Sequence, residues 1–375
     1  MKIDDIKKEF IQFMEKVHTQ YAYPKNFFAC LMAILIEQHP ITQDRIMELT
    51  RCSRTTVSQL LTQIQMNLPI KQVRIPGKRN KFYEYTSEPT DFMIDIFISN
   101  LESEEFKVDY IPPIIEEISP YSEKHPIFSN FKHFLETLYH HFSLYFDVLS
   151  KSREEFISII KADKAVISKL KEYNKMQPEK IAKILKSQEI ESDEPKSEMD
   201  PELFKTYIQF KRKYFQKIRE VIGPLRSQKA TYYVIIFQNI LIEQEPITQE
   251  EIQDSTGYQR SIISDTLQIL IQQGLVKVFR KPGDLKKYYQ NTISGDQMVF
   301  NRFKRVSGYT KTVKTKIDSL IEQLKNFKDD SSEYQSTKTF FEKMYQAYDN
   351  AEQYIEALEI KFLSRFSKNY LTKDQ

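Results

Sequence analysis

Two stretches of this sequence carry residue types suited to holding phosphates and reading polar edges. Residues 70–81, "IKQVRIPGKRNK", contain Lys71, Arg74, Lys78, Arg79 and Lys81 and no acid. A cation array of this kind neutralises a polyanion and releases its counterions. Just ahead of it, "SRTTVSQ" (53–59) supplies Ser53, Arg54, Thr55, Thr56 and Gln59. Arginine favours guanine edges and glutamine adenine edges, so this stretch has base-reading chemistry beside phosphate-binding chemistry. A related pair lies further on. There "QRSIISD" (259–265) offers Gln259, Arg260 and Ser261, and "RKPGDLKK" (280–287) offers Arg280, Lys281, Lys286 and Lys287. Asp265 either accepts from cytosine or repels phosphate. In this second pair Asp284 and Leu285 stand where the first has Lys78 and Arg79. The first is therefore expected to hold nucleic acid more strongly.

Other chemistries find less support. His133, Glu136 and His140 of "HFLETLYHH" share a helix face, a spacing that metals use. The corresponding later residues are Thr339, Glu342 and Gln346, so ordinary helix packing is the reading adopted, with no metal and no cofactor. The chain has two cysteines, Cys30 and Cys52, and no CxxC pair. Cys52 lacks a partner nearby in sequence and reads as a bystander thiol, and Cys30 as core. No P-loop, GxGxxG, GxSxG or HExxH occurs, and a non-enzymatic protein is expected.

The elements that must position these residues come from a repeat. "ILIEQHPITQ" (34–43) recurs as "ILIEQEPITQ" (240–249), 206 residues later, with nine of ten letters matching. The same offset pairs Arg54 with Arg260, Arg74 with Arg280, Pro76-Gly77 with Pro282-Gly283, and Tyr83 with Tyr289. A period this long is a duplicated domain, since solenoid repeats run about 20–50 residues. Within a copy, residues 24–38 read as a buried helix. Thr42 caps a short helix, and Gly257 suits the end of its counterpart. A second helix follows, with Val57, Leu60, Leu61 and Ile64 turned inward and Ser53, Arg54, Thr55, Ser58 and Gln59 outward. Alternating residues around Pro-Gly then read as a β-hairpin. With 7 glycines among 375 residues, helix dominates elsewhere.

Helix, helix-turn-helix and "RIPGKRNKFYEY" together resemble the MarR-type winged helix, most closely its GbsR-like branch of transcriptional regulators. The resemblance covers roughly residues 20–100 and 226–306. It departs at "NLPIKQ" before the first wing and at Asp284-Leu285 in the second. It implies a mainly α fold with small β-wings, and tandem winged helix-turn-helix domains whose long flanking helices form an intrachain pseudo-dimer. It also implies sequence-specific binding of double-stranded DNA, with room for a small-molecule effector near the aromatic-rich trailing helices. A protein-interaction scaffold with degenerate heads is the alternative.

The expected organisation is a first unit at 1–186, a polar acidic linker at 187–200, and a second unit at 201–375. Leading helices are expected at about 3–20 and 202–222, and trailing helices at about 88–175 and 294–370. The net charge of +3 is small, so any nucleic-acid surface is local. The longest apolar run, "FFACLMAILI", is too short to span a bilayer, and the charged amphipathic start is no signal peptide. A soluble cytoplasmic protein is expected.

Overall fold

The computed structural model describes residues 2–18, 24–161, 166–168, 200–222, 228–243, 245–293, 295–327 and 331–371. The linker read at 187–200 lies outside them except for Asp200. The protein is mainly helical, with two small antiparallel sheets of three strands. The first half runs α1 (Ile3–His18), α2 (Phe27–Glu37), β1 (Ile41–Thr42), α3 (Gln43–Thr50), α4 (Arg54–Asn67), β2 (Ile70–Val73), β3 (Phe82–Tyr85), α5 (Asp91–Ser122), α6 (Pro126–Lys151) and α7 (Arg153–Ile160). The second runs α8 (Pro201–Ile222), α9 (Gln228–Ile242), β4 (Ile247–Thr248), α10 (Gln249–Thr256), α11 (Arg260–Gln272), β5 (Val276–Phe279), β6 (Tyr288–Asn291), α12 (Gly295–Lys325) and α13 (Ser332–Leu371).

From β1 to β3 the offset of 206 holds for the start of every element. It also holds for the pairing. The sheets are ordered β1-β3-β2 and β4-β6-β5, with Ile41 opposite Tyr83 and Ile247 opposite Tyr289. Thr42 caps α3 by accepting from the Arg45 amide, and Thr248 forms a full capping box with Glu251. Both short helices leave through a left-handed residue, Arg51 at φ 60 and Gly257 at φ 71. Only glycine adopts that conformation without strain. Arg51→Gly is therefore expected to stabilise the fold by about 1 kcal/mol, and Gly257→Ala to destabilise it by a similar amount. Urea unfolding of the two variants checks both signs.

The glutamate of the recurring phrase meets a buried lysine in both copies. The carboxylate of Glu37 accepts from Nζ of Lys7 at 3.1 Å, and that of Glu243 from Nζ of Lys211 at 2.6 Å. Both lysine side chains are only 2% exposed. A buried ammonium requires a carboxylate at a fixed place, so the glutamate of the phrase is constrained in both copies. The isoleucine that follows begins a strand and is buried, and the threonine caps the next helix. The leading helices do not keep the common offset, because Lys7 and Lys211 are 204 residues apart. Glu37 is held further by Arg45, whose Nη2 lies 2.7 Å away, and Arg45 also grips Asp4 at 2.6 Å. Tyr207 donates to Glu243 at 2.8 Å.

The chain forms two compact units, and these are not the halves on either side of the linker. The first unit holds α1–α4, β1–β3, the start of α5, α7, α12 from Phe303, and α13 as far as Lys361. Its core surrounds α2, which is buried along its whole length. Phe10 of α1 meets Phe340 and Phe341 of α13 edge-on, at ring separations of 5.9 and 5.1 Å. His18 stacks on Phe28, and its Nε2 shares the Tyr309 hydroxyl at 2.8 Å. Burial pushes His18 down to about 3, which leaves it neutral.

The second unit holds α5 from Leu101, α6 to Ser150, α8–α11, β4–β6 and the start of α12. Phe128 and Phe131 of α6 pack on Tyr207 of α8 at 5.7 and 5.9 Å. Each unit thus joins one copy's leading helix and sheet to trailing helices of the other copy. The apolar stripe of each leading helix needs a cover, and the aromatic trailing helices provide it. Among the described residues, no helix is long and apolar enough to cross a membrane.

Candidate nucleic-acid interface

In the first copy Val57, Leu60, Leu61 and Ile64 are buried and fix the orientation of α4. The opposite face exposes Arg54, Thr55, Ser58 and Gln59. Ser53 and Thr56 meet each other at the start of α4. The Ser53 hydroxyl caps α4, accepting from the Thr56 amide at 3.2 Å and lying 2.8 Å from the Thr56 hydroxyl. The Arg54 guanidinium bonds Asp44 of α3, and both side chains are largely exposed. An exposed pair of this kind is weak and exchanges readily for a phosphate or base edge.

The hairpin β2–β3 turns at Pro76-Gly77. Lys78 donates its amide to the Ile75 carbonyl at 3.0 Å, and Gly77 has φ 78, as a type II turn requires. Tyr83, only 4% exposed, anchors the returning strand. Lys71, Arg74, Lys78, Arg79 and Lys81 are exposed, and none of the five forms an ion pair among the described residues. Five cations outside any ion pair, against the single carboxylate of Glu84 opposite Lys71, leave a positive field along one hairpin.

The second copy repeats the geometry and changes the charge. Ile263, Leu267 and Leu270 are buried, and α11 exposes Arg260, Ser261, Ser264 and Asp265. Gln259 is exposed at the helix start and makes no capping bond. The hairpin turns alike, with Gly283 at φ 78. Here Lys286 pairs with Glu250 at 2.8 Å. Asp284 accepts from the Lys286 amide at 2.8 Å and from the Tyr288 hydroxyl at 2.6 Å. The Tyr288 bond, joined by the Lys286 amide, holds the Asp284 carboxyl below its usual range. Lys281 sits over the Tyr288 ring at 4.5 Å. Arg280 and Lys287 remain exposed and unpaired among the described residues.

The second copy also exposes three apolar side chains, of which the sequence singled out Leu285 and not Ile269 or Val278. Ile269, Val278 and Leu285 are exposed by 44%, 41% and 88%, at the positions that hold Gln63, Gln72 and Arg79 in the first copy. The signal was available in the alignment at 206, as three polar-to-apolar exchanges on outward positions.

His133 and Glu136 are exposed on α6, and the neighbour of Glu136 is Lys132 at 3.8 Å. Among the described residues no group of three His, Cys, Asp or Glu is placed to hold a metal. The trailing aromatics are mostly core, with Phe142, Tyr145, Phe340, Phe341, Tyr348 and Tyr354 buried. A cleft of about 610 Å³ lies in the first unit beside Lys7, Glu37, Arg45 and Glu333. Ion pairs line it, with Phe82 as its aromatic wall. No protein-family model matches this chain, and comparison with curated proteins finds no match.

Proposed function

We propose that the chain is a double-stranded-DNA-binding transcriptional regulator of MarR type, GbsR-like, with two winged helix-turn-helix heads and no catalytic step. The observation that carries this reading is in the first copy. An exposed polar helix face with one arginine adjoins a hairpin bearing five unpaired cations. In this reading α4 enters the major groove with Arg54, Thr55 and Gln59 at base edges, and Arg74, Lys78, Arg79 and Lys81 follow the phosphates. Arg260, Ser261, Arg280 and Lys287 serve the second head, with Lys286 partly neutralised by Glu250. Carrying both heads on one chain makes the second contact intramolecular. A cytoplasmic location and a small-molecule effector belong to the same proposal.

A second reading is favoured by Ile269, Val278 and Leu285. Their exposure suits protein docking better than phosphate contact, which would make the second head an interaction module.

Selection of preferred sequences from a random duplex pool separates the readings. Two DNA-binding heads predict enrichment of paired half-sites about 10 bp apart. A single enriched half-site assigns DNA to one head and a protein partner to the other. Absence of enrichment, with no binding at low salt, contradicts the DNA reading.

A further inference from the structure

We propose that Leu285, at the tip of the second hairpin, is an apolar wedge that opens one base step of the duplex and bends it. The proposal rests on the DNA reading and adds to it a distortion of the DNA. An exposed leucine alone is ordinary on a protein surface. Two features set Leu285 apart, the stiffness of the tip that carries it and the charge around it.

The tip is braced from several sides. At Pro282-Gly283 the Asp284 amide donates to the Lys281 carbonyl at 3.1 Å. Asp284 then turns back into the hairpin. One of its carboxylate oxygens accepts from the Lys286 amide at 2.8 Å, and the other from the Tyr288 hydroxyl at 2.6 Å. The Tyr288 ring stacks with Phe279 at 6.4 Å and lies under the Lys281 ammonium at 4.5 Å. Lys286 ties the loop to α10 through Glu250 at 2.8 Å. The residues on both sides of Leu285 are thus held, while its own side chain is 88% exposed.

This brace belongs to the second copy. The first has Val73 in place of Phe279, Lys78 in place of Asp284 and Phe82 in place of Tyr288. It therefore lacks the second ring, the carboxylate and the hydroxyl that the brace uses.

The construction suits a stacked polyanion. A side chain held stiffly before contact loses little freedom on insertion. Asp284 would repel phosphate if it faced outward, but both of its oxygens are engaged within the hairpin. Arg280, Lys281 and Lys287 are exposed around the tip. Charge complementarity favours a polyanion over an apolar protein pocket. The cations hold phosphates on either side of the minor groove, and the leucine takes the place of one stacking contact between neighbouring base pairs. Apolar wedges of this kind kink the duplex by about 20–90°. Pyrimidine–purine steps unstack most easily, so the second head prefers TA or CA/TG beneath its hairpin tip without a hydrogen bond to those bases. The first head has Arg79 at the corresponding place and leaves its bases stacked.

The test uses the intact chain and duplexes of the random selection pool, before and after enrichment. The duplexes carry a donor and an acceptor dye at their ends, and 2-aminopurine in place of adenine. Anisotropy reads binding, energy transfer reads bending, and 2-aminopurine fluorescence rises where a base unstacks. The expected result is binding with shortened end-to-end distance and a 2-aminopurine rise of at least about twofold. Leu285→Ala is expected to lose both signals while still binding, through the cations that remain. Leu285→Arg, which restores the first copy's residue, should bind at least as tightly without either signal. Tyr288→Phe removes one of the two donors to Asp284 and should reduce the 2-aminopurine rise with binding retained. Binding by the unchanged chain with neither signal, or signals that Leu285→Ala keeps in full, overturns the wedge and leaves the DNA reading standing. The second of these outcomes frees Leu285 for a protein partner. No binding by the unchanged chain at low salt overturns both.

Discussion

Replacing Lys211 with methionine will destabilise the second unit by about 3–5 kcal/mol. The lysine is 2% exposed, and its ammonium is 2.6 Å from Glu243, itself only 12% exposed. Methionine fills much of the same volume, so the cost comes from stranding a desolvated carboxylate with the Tyr207 hydroxyl as its remaining donor among the described residues. Lys7→Met should cost clearly less, because Arg45 stays on Glu37 through Nε at 3.0 Å and Nη2 at 2.7 Å. The double change Lys211→Met with Glu243→Leu should recover most of the loss, since an apolar pair of similar size often replaces a buried ion pair at no cost. Urea unfolding followed by circular dichroism reads all three. Equal losses at the two lysines, or a double variant as weak as the single one, would contradict this account of the repeated phrase.

The second large effect concerns affinity. Changing Lys71, Arg74, Lys78, Arg79 and Lys81 to glutamine is expected to weaken duplex binding by at least about 100-fold near physiological salt. If all five meet phosphates, the slope of log affinity against log salt should flatten by about 4. The fold should survive, because these side chains are exposed and pair with nothing among the described residues. Changing Arg280, Lys281, Lys286 and Lys287 together should cost less. Glu250 and Asp284 already offset part of that charge, through the 2.8 Å pair and the Asp284 contacts. The reverse ranking would show that the second hairpin carries the main contact.

The two hairpins, their turns and the inward stripe of α4 were legible in the sequence, because each depends on local rules. Period-two alternation, Pro-Gly at the turn and three/four spacing act over a few residues. The duplication doubled that signal. What was not legible depends on distant partners. Lys7 and Lys211 read as ordinary polar positions of amphipathic helices, and nothing local announces a buried ammonium. The trailing helices were visible as aromatic stripes, yet the copy they would cover was not. Pro112, Pro113 and Pro120 would ordinarily break a helix, and α5 runs through all three.

The most direct test of the central claim is fluorescence anisotropy of a labelled random duplex with the intact chain, titrated with salt. The account predicts binding at low salt that weakens steeply as salt rises, and a clear loss of that steepness when the five cations of residues 70–81 are neutralised. Binding that ignores salt, or none at low salt, would contradict a DNA-reading role.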